Sequence, residues 1–530
     1  MIVSFYNNHL KKIVILFFFS YFAIGLTIVD SYGVSSDEYS SRLKGFVTLN
    51  YLGEKIAPDL TNKIKKNKNI PDLKTYEQKI YGVVYEAPAS FLEIIFKIDD
   101  KSNQFLLRHY LNFIIFFIST IFFFRILSFR FHNTGLALLG TFFLILSPRI
   151  FANSFYNNKD LVFLSFFIIA SFYAIKFIKK QNLKNGIFFA VSSALAIDVR
   201  ILGIAIPVTV FSINLIKNLY EKKFKQNLNI NILSFIFVIC SVIIFWPYLW
   251  ASPIKNFIFA FNGMANFEIV TFNLFFEEYI NAKNVGWNFI PTWIFITTPI
   301  LYLIFFLVGL ILLIKKSINF FRFTYDQFYI DLFFLVTLFG PLIAVIIFNS
   351  TLYNGWRQLY FIYPSIIFIS IISLDFLNTY KNFQFKKIIY TSIILYLFTI
   401  VNWMTKNHPF QYVYFNSLID KKELNKKFDL DYWGLSYKQN LEYLLKNEKK
   451  NEFNIYNLSQ NKLFYSLFSL NKEDRSKFNV VSDPKNAEYI MTNFFEDKSN
   501  INNFNLDKYY ILNEIIVDEY SINRIYKKKS

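Results

Sequence analysis

Cysteine is nearly absent: Cys240 is the only one in 530 residues. No disulfide framework can therefore form within one chain. Histidine is scarce and scattered, at His9, His109, His132 and His408, so no His/Cys zinc cluster is legible. Any metal site has to be built mainly from carboxylates and water, which favours magnesium, manganese or calcium. Charge is missing from the middles of the long apolar runs. A proton- or ion-coupled transporter keeps ionisable groups near the midplane of broken helices, whereas here acids and bases gather at the ends of runs. A folded basic module for nucleic acid is also missing, despite a formal charge of +19. The lysines and arginines sit in short loops between apolar runs, where membrane topology explains them, so no nucleic-acid partner is expected.

What is abundant is apolar side chain. Hydrophobic residues make up 54% of the chain, against roughly 45–50% in a soluble domain, and they come in long blocks. Apolar runs near 13–29, 105–127, 134–152, 161–178, 185–198, 201–217, 229–246, 292–314, 330–348, 358–377 and 388–405 predict about eleven membrane helices by the length rule. The pair 185–217 is also compatible with one broken helix. The first run follows Lys11 and Lys12 and has no small-residue cleavage site after it, which predicts an uncleaved first span. Lysine and arginine resist translocation. Basic loops at 125–130, 176–184, 217–225, 315–322 and 381–387 thus place the N-terminus in the cytoplasm. Loops 30–104, 153–160, 247–291 and 349–357, together with the tail 406–530, then face outward, which in a bacterium means the periplasm. The tail alternates helix-like "SYKQNLEYLLKN" with strand-like "EFNIYNLS", "FNVVSD", "EYIMTNF" and "YYILNEIIV", as a small α/β domain does. The expected architecture is a polytopic α-helical membrane domain, 1–405, with a C-terminal periplasmic α/β domain, 406–530.

Charges on the outward side are the chemical signal. Asp37 and Glu38 follow the first span in "VDSYGVSSDEYSSRL". The stretch 81–98 mixes apolar residues with Glu86 and Glu93, as a helix lying on the membrane surface does, and would form a floor beside the acid pair. "SPRIFANSFYNNKDLVF" places Arg149, Lys159 and Asp160 at outer helix ends; "AIDVRILG" adds Asp198 and Arg200; "LYNGWRQLYFIYP" adds Arg357. Basic residues on a translocated side run against the usual bias, and charges at membrane depth are costly. Plainer readings exist for each. Asp37 and Glu38 suit a solvated loop, Asp160 suits a helix N-cap, and Arg357 can snorkel to the interface. Asp198 and Arg200 can pair with other spans. Trp246, Trp250, Trp287, Trp293 and Trp356 suit an interfacial aromatic belt.

Charges collected at one membrane face suit a lipid-borne substrate with a charged head. With a sugar on a polyprenyl phosphate, arginines would bind the phosphate bidentately. Phosphate is a good leaving group and needs charge stabilisation more than an acid. Asp37 would take the proton of the acceptor hydroxyl as it attacks the anomeric carbon, giving inversion. Glu38 and Asp160 would orient the acceptor or hold a divalent cation, magnesium or manganese. Donor-phosphate contacts would come from Arg357, Arg200, Lys159 and Arg149. The competing functions are a transporter or flippase for a lipid-linked substrate, and a scaffold whose outer domain binds partners.

These residues resemble the GT-C fold glycosyltransferases, specifically the group of protein O-mannosyltransferases and lipid A aminoarabinose transferases. The resemblance rests on "DE" at 37–38, the acid of "SPRIFANSFYNNKD", "DVRILG" at 198–203 and "NGWRQLYFIYP" at 354–364. "HPFQYVYFN" at 408–416 and "DLDYWGLSY" at 429–437 look like the juncture and tail of many bacterial members. It implies a multi-pass inner-membrane enzyme with a polyprenyl-phosphate sugar donor and a lipid, glycan or protein acceptor. By the same match Asp37 is the catalytic base, Asp160 the second-loop acid and Arg357 a phosphate contact. The family varies in metal dependence. The "DYWG" stretch has no role assignable from chemistry, and Asp431 there suits a cap for the helix that follows.

Overall fold

The computed structural model describes residues 2–59, 61, 70–265, 271–318, 327–461, 463–495 and 506–529; the basic loop 315–322 and the outer loops 30–104 and 247–291 lie partly outside these. Among the described residues eight helices are long and apolar enough to cross a membrane, Leu10–Ser31, Lys101–Phe131, Asp160–Lys179, Ile201–Tyr220, Phe224–Phe245, Phe328–Ile347, Arg357–Leu377 and Phe383–Lys406. A ninth is the pair Thr134–Ile145 and Pro148–Tyr156, bent by 67°. Leu183–Val199 and Ile300–Ile318 pack among them, the first against Phe224–Phe245 and the second against Tyr363–Leu377. The chain is a multi-pass membrane protein.

Two runs deviate from the sequence pattern, each for a local reason. The run 134–152 bends at Ser147-Pro148, where proline cannot donate to the preceding turn. The run 292–314 is two helices, Phe289–Thr297 and Ile300–Ile318, because Pro299 ends the first. The runs 185–198 and 201–217 are two helices, joined by a 3-10 turn, Ile201–Ile204. The tryptophans also divide: Trp250 and Trp287 are exposed, as a belt requires, but Trp246, Trp293 and Trp356 are buried core residues.

Asp37 and Glu38 do not lie in a loop. They open a surface helix, Ser36–Ile56, whose first turn is closed by a capping box between Ser35 and Glu38. A second surface helix, Glu86–Ile95, turns Phe91, Ile94 and Ile95 outward and buries Glu86, Ala89, Ser90 and Glu93. The two lie close because Gly45 meets the Glu86 carbonyl, where a Cβ would come within 2.3 Å. Arg108, fully buried, donates to Glu93 at 2.8 Å and to Ser90 at 2.9 Å; Arg42 completes the grip on Glu93.

The tail forms a five-stranded sheet in the order Phe478–Val480, Phe453–Asn457, Tyr489–Thr492, Tyr520–Lys528, Tyr509–Val517. The first three strands run parallel and the last two antiparallel. The helix Tyr437–Asn447 covers it through Tyr437, Leu441 and Leu444. This domain is docked onto the membrane part: Gln439 donates to the Ser31 carbonyl at 2.8 Å, Tyr520 to the Val413 carbonyl at 2.7 Å, and Phe468 stacks on Phe105.

At the opposite end of the bundle Arg130 grips Asp331 bidentately, at 2.6 and 2.9 Å, joining Lys101–Phe131 to Phe328–Ile347. Removing one partner of a buried pair leaves the other uncompensated, at a cost of about 3–5 kcal/mol. Arg130→Ala is therefore expected to lower the unfolding midpoint in detergent, whereas the double change Arg130→Met with Asp331→Leu recovers most of it; equal losses from the single and double changes would refute the pairing.

Candidate active site

Four separated segments bring their charges to one end of the bundle. Asp37 sits in the first turn of Ser36–Ile56, and Asp160 opens Asp160–Lys179. Arg200 follows Leu183–Val199 in extended backbone, and Arg357 begins the turn that leads into Tyr363–Leu377. Asp160 is the node. Its Oδ2 accepts from Arg357 at 2.9 Å and its Oδ1 accepts from Arg200. It is buried to 1% exposure. It is not an N-cap: that position is Lys159, and Asn157 braces the helix start from outside, its Oδ1 accepting from the Asp160 N–H at 2.8 Å while its amide donates to the Asp160 carboxylate at 3.2 Å.

The Arg357 loop is held rigidly. Asn273, in the hairpin Phe272–Asn281, donates to the Leu352 carbonyl at 2.8 Å and accepts from the Asn354 N–H at 3.0 Å. Gly355 has φ +67° and lies on the ring of Trp293. Trp356 donates from its indole to Thr297 at 2.9 Å. These contacts leave Arg357 pointing at Asp160 and Asp37, with its Nη1 3.9 Å from the Asp37 carboxylate.

Asp37 is the open acid. Its side chain is 33% exposed, and its carboxylate accepts no hydrogen bond from the described residues. Glu38 is its opposite: fully buried, with one oxygen accepting from the Ser35 N–H at 2.6 Å and the other 2.9 Å from His109 Nε2. It fixes the helix start that carries Asp37. Arg149 is clamped between Trp293 and Phe415 and donates to the Tyr414 carbonyl at 3.0 Å, beside the small cavity that Arg357 also lines. Asp198 accepts from the Val84 N–H at 2.6 Å, and Gly82 lies so close to it that only glycine fits. The loop carrying Tyr81 is thereby tied to the site.

One cation is invisible to sequence reasoning. Lys44, two turns after Asp37 on the same helix face, is buried, and its ammonium lies 5.6 Å from the Tyr81 ring. Lys159 approaches the same ring at 5.5 Å. Neither lysine has a carboxylate within salt-bridge reach among the described residues. Burial pushes Lys44 down to about 8, against the pull of Glu86 and Asp198, and raises Glu86. The aromatic residues Tyr353, Tyr432 and Trp433 surround the Arg357 guanidinium at 4.8, 5.6 and 4.9 Å. The only signal that marks Lys44 in the sequence is its spacing of two helical turns from Asp37, legible only once the segment is known to be helical.

The acids expected to hold a divalent cation, Glu38 and Asp160, or Asp37 with Asp160, do not suit one: Glu38 is closed off by the Ser35 N–H and His109. Arg357 stands between Asp37 and Asp160, and both oxygens of Asp160 already accept from guanidinium groups. Among the described residues no three Asp, Glu, His or Cys side chains converge.

The fold is the GT-C fold of membrane glycosyltransferases, of the type shared by ArnT and the protein mannosyltransferases. Residues 87–246, under a third of the chain, match the family model for dolichyl-phosphate-mannose-protein mannosyltransferase. That segment holds Asp160 and Arg200 but neither Asp37 nor Arg357. The crystal structure of apo ArnT from Cupriavidus metallidurans is similar over 97% of this chain and 98% of its own, with a TM-score of 0.50 at 9% identity. Archaeal oligosaccharyltransferase AglB from Archaeoglobus fulgidus, solved with an inhibitory peptide and a dolichol-phosphate, has a TM-score of 0.42 at 10% identity, over 87% of this chain and 66% of its own. No curated protein matches the chain in sequence.

Asn157 ties Asp160 to the helix start and so holds the arginine node in place. Asn157→Ala is expected to cost about 1–3 kcal/mol of stability, as leaving a buried polar group without its partner does, read as a lower unfolding midpoint; an unchanged midpoint would show that Asp160 needs no such support.

Proposed function

We propose that this chain is an inverting glycosyltransferase that moves a sugar from a polyprenyl-phosphate donor to an acceptor hydroxyl at the periplasmic face of a bacterial inner membrane. The observation that carries this reading is the open carboxylate of Asp37, 3.9 Å from the buried Arg357, at the centre of a cluster with surplus positive charge. Asp160 offsets one of its two arginines, and Asp37 faces the rest. Lys44 and Lys159 remain for a phosphate.

Beside the Asp198–Arg200 turn, an apolar groove of about 780 Å³ runs down between Ala205–Tyr220, Phe224–Phe245 and Pro253–Ala265. Ile197 and Ile204 line it at the charged end, and Phe211 and Phe235 lie further along. A prenyl chain lying there would bring its phosphate to Arg200 and Lys44. The donor phosphodiester carries one negative charge, and the leaving polyprenyl phosphate carries up to two. Cations fixed at that position stabilise the charge as it develops, which is where electrostatic preorganisation accelerates a reaction. The acceptor oxygen forms its bond to the anomeric carbon while the bond from that carbon to the phosphate oxygen breaks. The hydroxyl proton passes to Asp37, which has no hydrogen-bond donor holding its lone pairs. Attack from the face opposite the phosphate inverts the anomeric centre. Asp160 acts at one remove: it keeps Arg200 and Arg357 side by side in spite of their repulsion.

Asp37→Asn keeps the shape and removes the base. It is expected to lower sugar transfer from membrane-extracted polyprenyl-phosphate donors by about 100-fold or more, with insertion and melting temperature unchanged; wild-type transfer by Asp37→Asn would refute the assignment.

Lys44 supplies a pH signature. Its folded-state value, about 8, lies below the usual lysine value of 10.5. Between those values the unfolded chain binds more protons, so stability rises with pH across that window. Phosphate binding has the opposite sign, because it needs the ammonium. Affinity for polyprenyl phosphate is expected to fall as pH rises through about 8 in the wild type, and to show no such bend in Lys44→Arg, whose guanidinium stays charged. A bend that persists in Lys44→Arg would rule out Lys44 as its source.

A further inference from the structure

The "DYWG" stretch, without an evident role in the sequence, reaches the reacting charges. Asp431 is buried to 1% exposure and folds the turn around itself. Its carboxylate accepts from the Leu435 N–H at 2.9 Å, from the Ser436 N–H at 3.1 Å and from the Ser436 hydroxyl at 2.5 Å. Its carbonyl accepts from the Asn493 amide at 2.6 Å, next to the strand Tyr489–Thr492. Gly434, at φ +71°, lets the chain reverse where a side chain would also meet the Tyr437 ring at 2.9 Å. The turn is thus built by the C-terminal domain, yet its next two side chains lie on a residue of the membrane domain. Trp433 and Tyr432 lie at 4.9 and 5.6 Å from the Arg357 guanidinium carbon. Tyr353 stands at 4.8 Å and contacts Tyr432.

A guanidinium packed among aromatic rings in a desolvated place is held by cation–π attraction and by the bulk of the rings. Arg357 donates to Asp160 through Nη1 alone; Nη2 has no partner among the described residues, and Nε is buried and unpartnered. Its direction therefore depends on the rings as much as on the acid. We propose that Trp433 and Tyr432 are positioning residues for Arg357, so that the C-terminal domain is a working wall of the catalytic pocket and sets its grip on the donor phosphate. This rests on the phosphate-binding role given to Arg357 above.

The test measures binding of decaprenyl phosphate to the full-length protein in nanodiscs. Trp433→Leu removes the ring and is expected to weaken binding about tenfold or more, whereas Trp433→Phe stays within about threefold because it keeps an aromatic face. On an Arg357→Lys background, Trp433→Leu should add little further loss, because the group it positions is gone. Undiminished binding by Trp433→Leu, or an equal loss on both backgrounds, would overturn the proposal. Tyr432→Leu, at a half-buried position, gives the same reading if Trp433→Leu does not insert. Arg357→Lys itself separates the two ideas: if it leaves binding unchanged, the phosphate site fails; if it weakens binding and the Trp433 series does not, only the role of the turn fails.

Discussion

Two guanidinium groups share one buried carboxylate, and the rest of the charged end is arranged around that sharing. Arg200 and Arg357 come from segments far apart in sequence and would repel each other in a dry site. Asp160 holds one with each oxygen. An isolated ion at such depth is expensive, and a buried group persists only when its partners satisfy it. The helix start at Asp160 helps, because the positive end of the helix dipole favours a carboxylate in the first turn. Asn157 closes the remaining valences. The node is thus neutralised only in part, and the remaining positive charge is what the anionic head group of the proposed donor would meet.

A transporter would need its charges on a path through the bundle. The described structure has them at two levels only. The Arg130–Asp331 pair lies at the far end in a bidentate grip. The cluster of Asp37, Asp160, Arg200 and Arg357 lies at the other end, with apolar helix between. A freestanding scaffold domain fits no better, since the tail is hydrogen-bonded to the first loop and stacked on the Lys101–Phe131 helix. Each half leaves a surface that the other covers.

How much of this was legible in the sequence follows from the length scale of each feature. Membrane helices are long, and their composition is decided by the bilayer, so the spans were readable apart from proline breaks at 148 and 299. The residues that converge at the site were readable as charges out of place on a translocated side. Their separate roles were not. Asp37 and Glu38 are adjacent and chemically alike, and they differ only because a helix start points one into the cavity and the other at His109. Lys44 was hidden because Ser36–Ile56 is polar enough to read as loop, and only as a helix does it place position 44 above position 37. Tyr432 and Trp433 were hidden for a different reason: no local pattern reports which distant side chain an aromatic ring will cover.

The surface helices show why sequence reading fails at short range and succeeds at long range. Within 81–98, Glu86–Ile95 was recognisable as an amphipathic helix from its mixture of apolar and acidic residues. Its inner face, however, is decided by Arg108 and Arg42 on other segments, which hold Glu93. Burying that glutamate is tolerable only because two arginines meet it, Arg108 from Lys101–Phe131 and Arg42 from Ser36–Ile56, the second brought close where Gly45 allows the two surface helices to touch. The floor beneath Asp37 therefore depends on a glycine, a glutamate and two arginines acting together. None of them touches the reacting groups, yet the height of Asp37 above the membrane part follows from their fit. In the proposed transfer Asp37 would have to reach an acceptor hydroxyl within hydrogen-bond distance and would tolerate little movement of that floor, so the packing of the two surface helices would belong to the reaction geometry as much as to the stability of the fold.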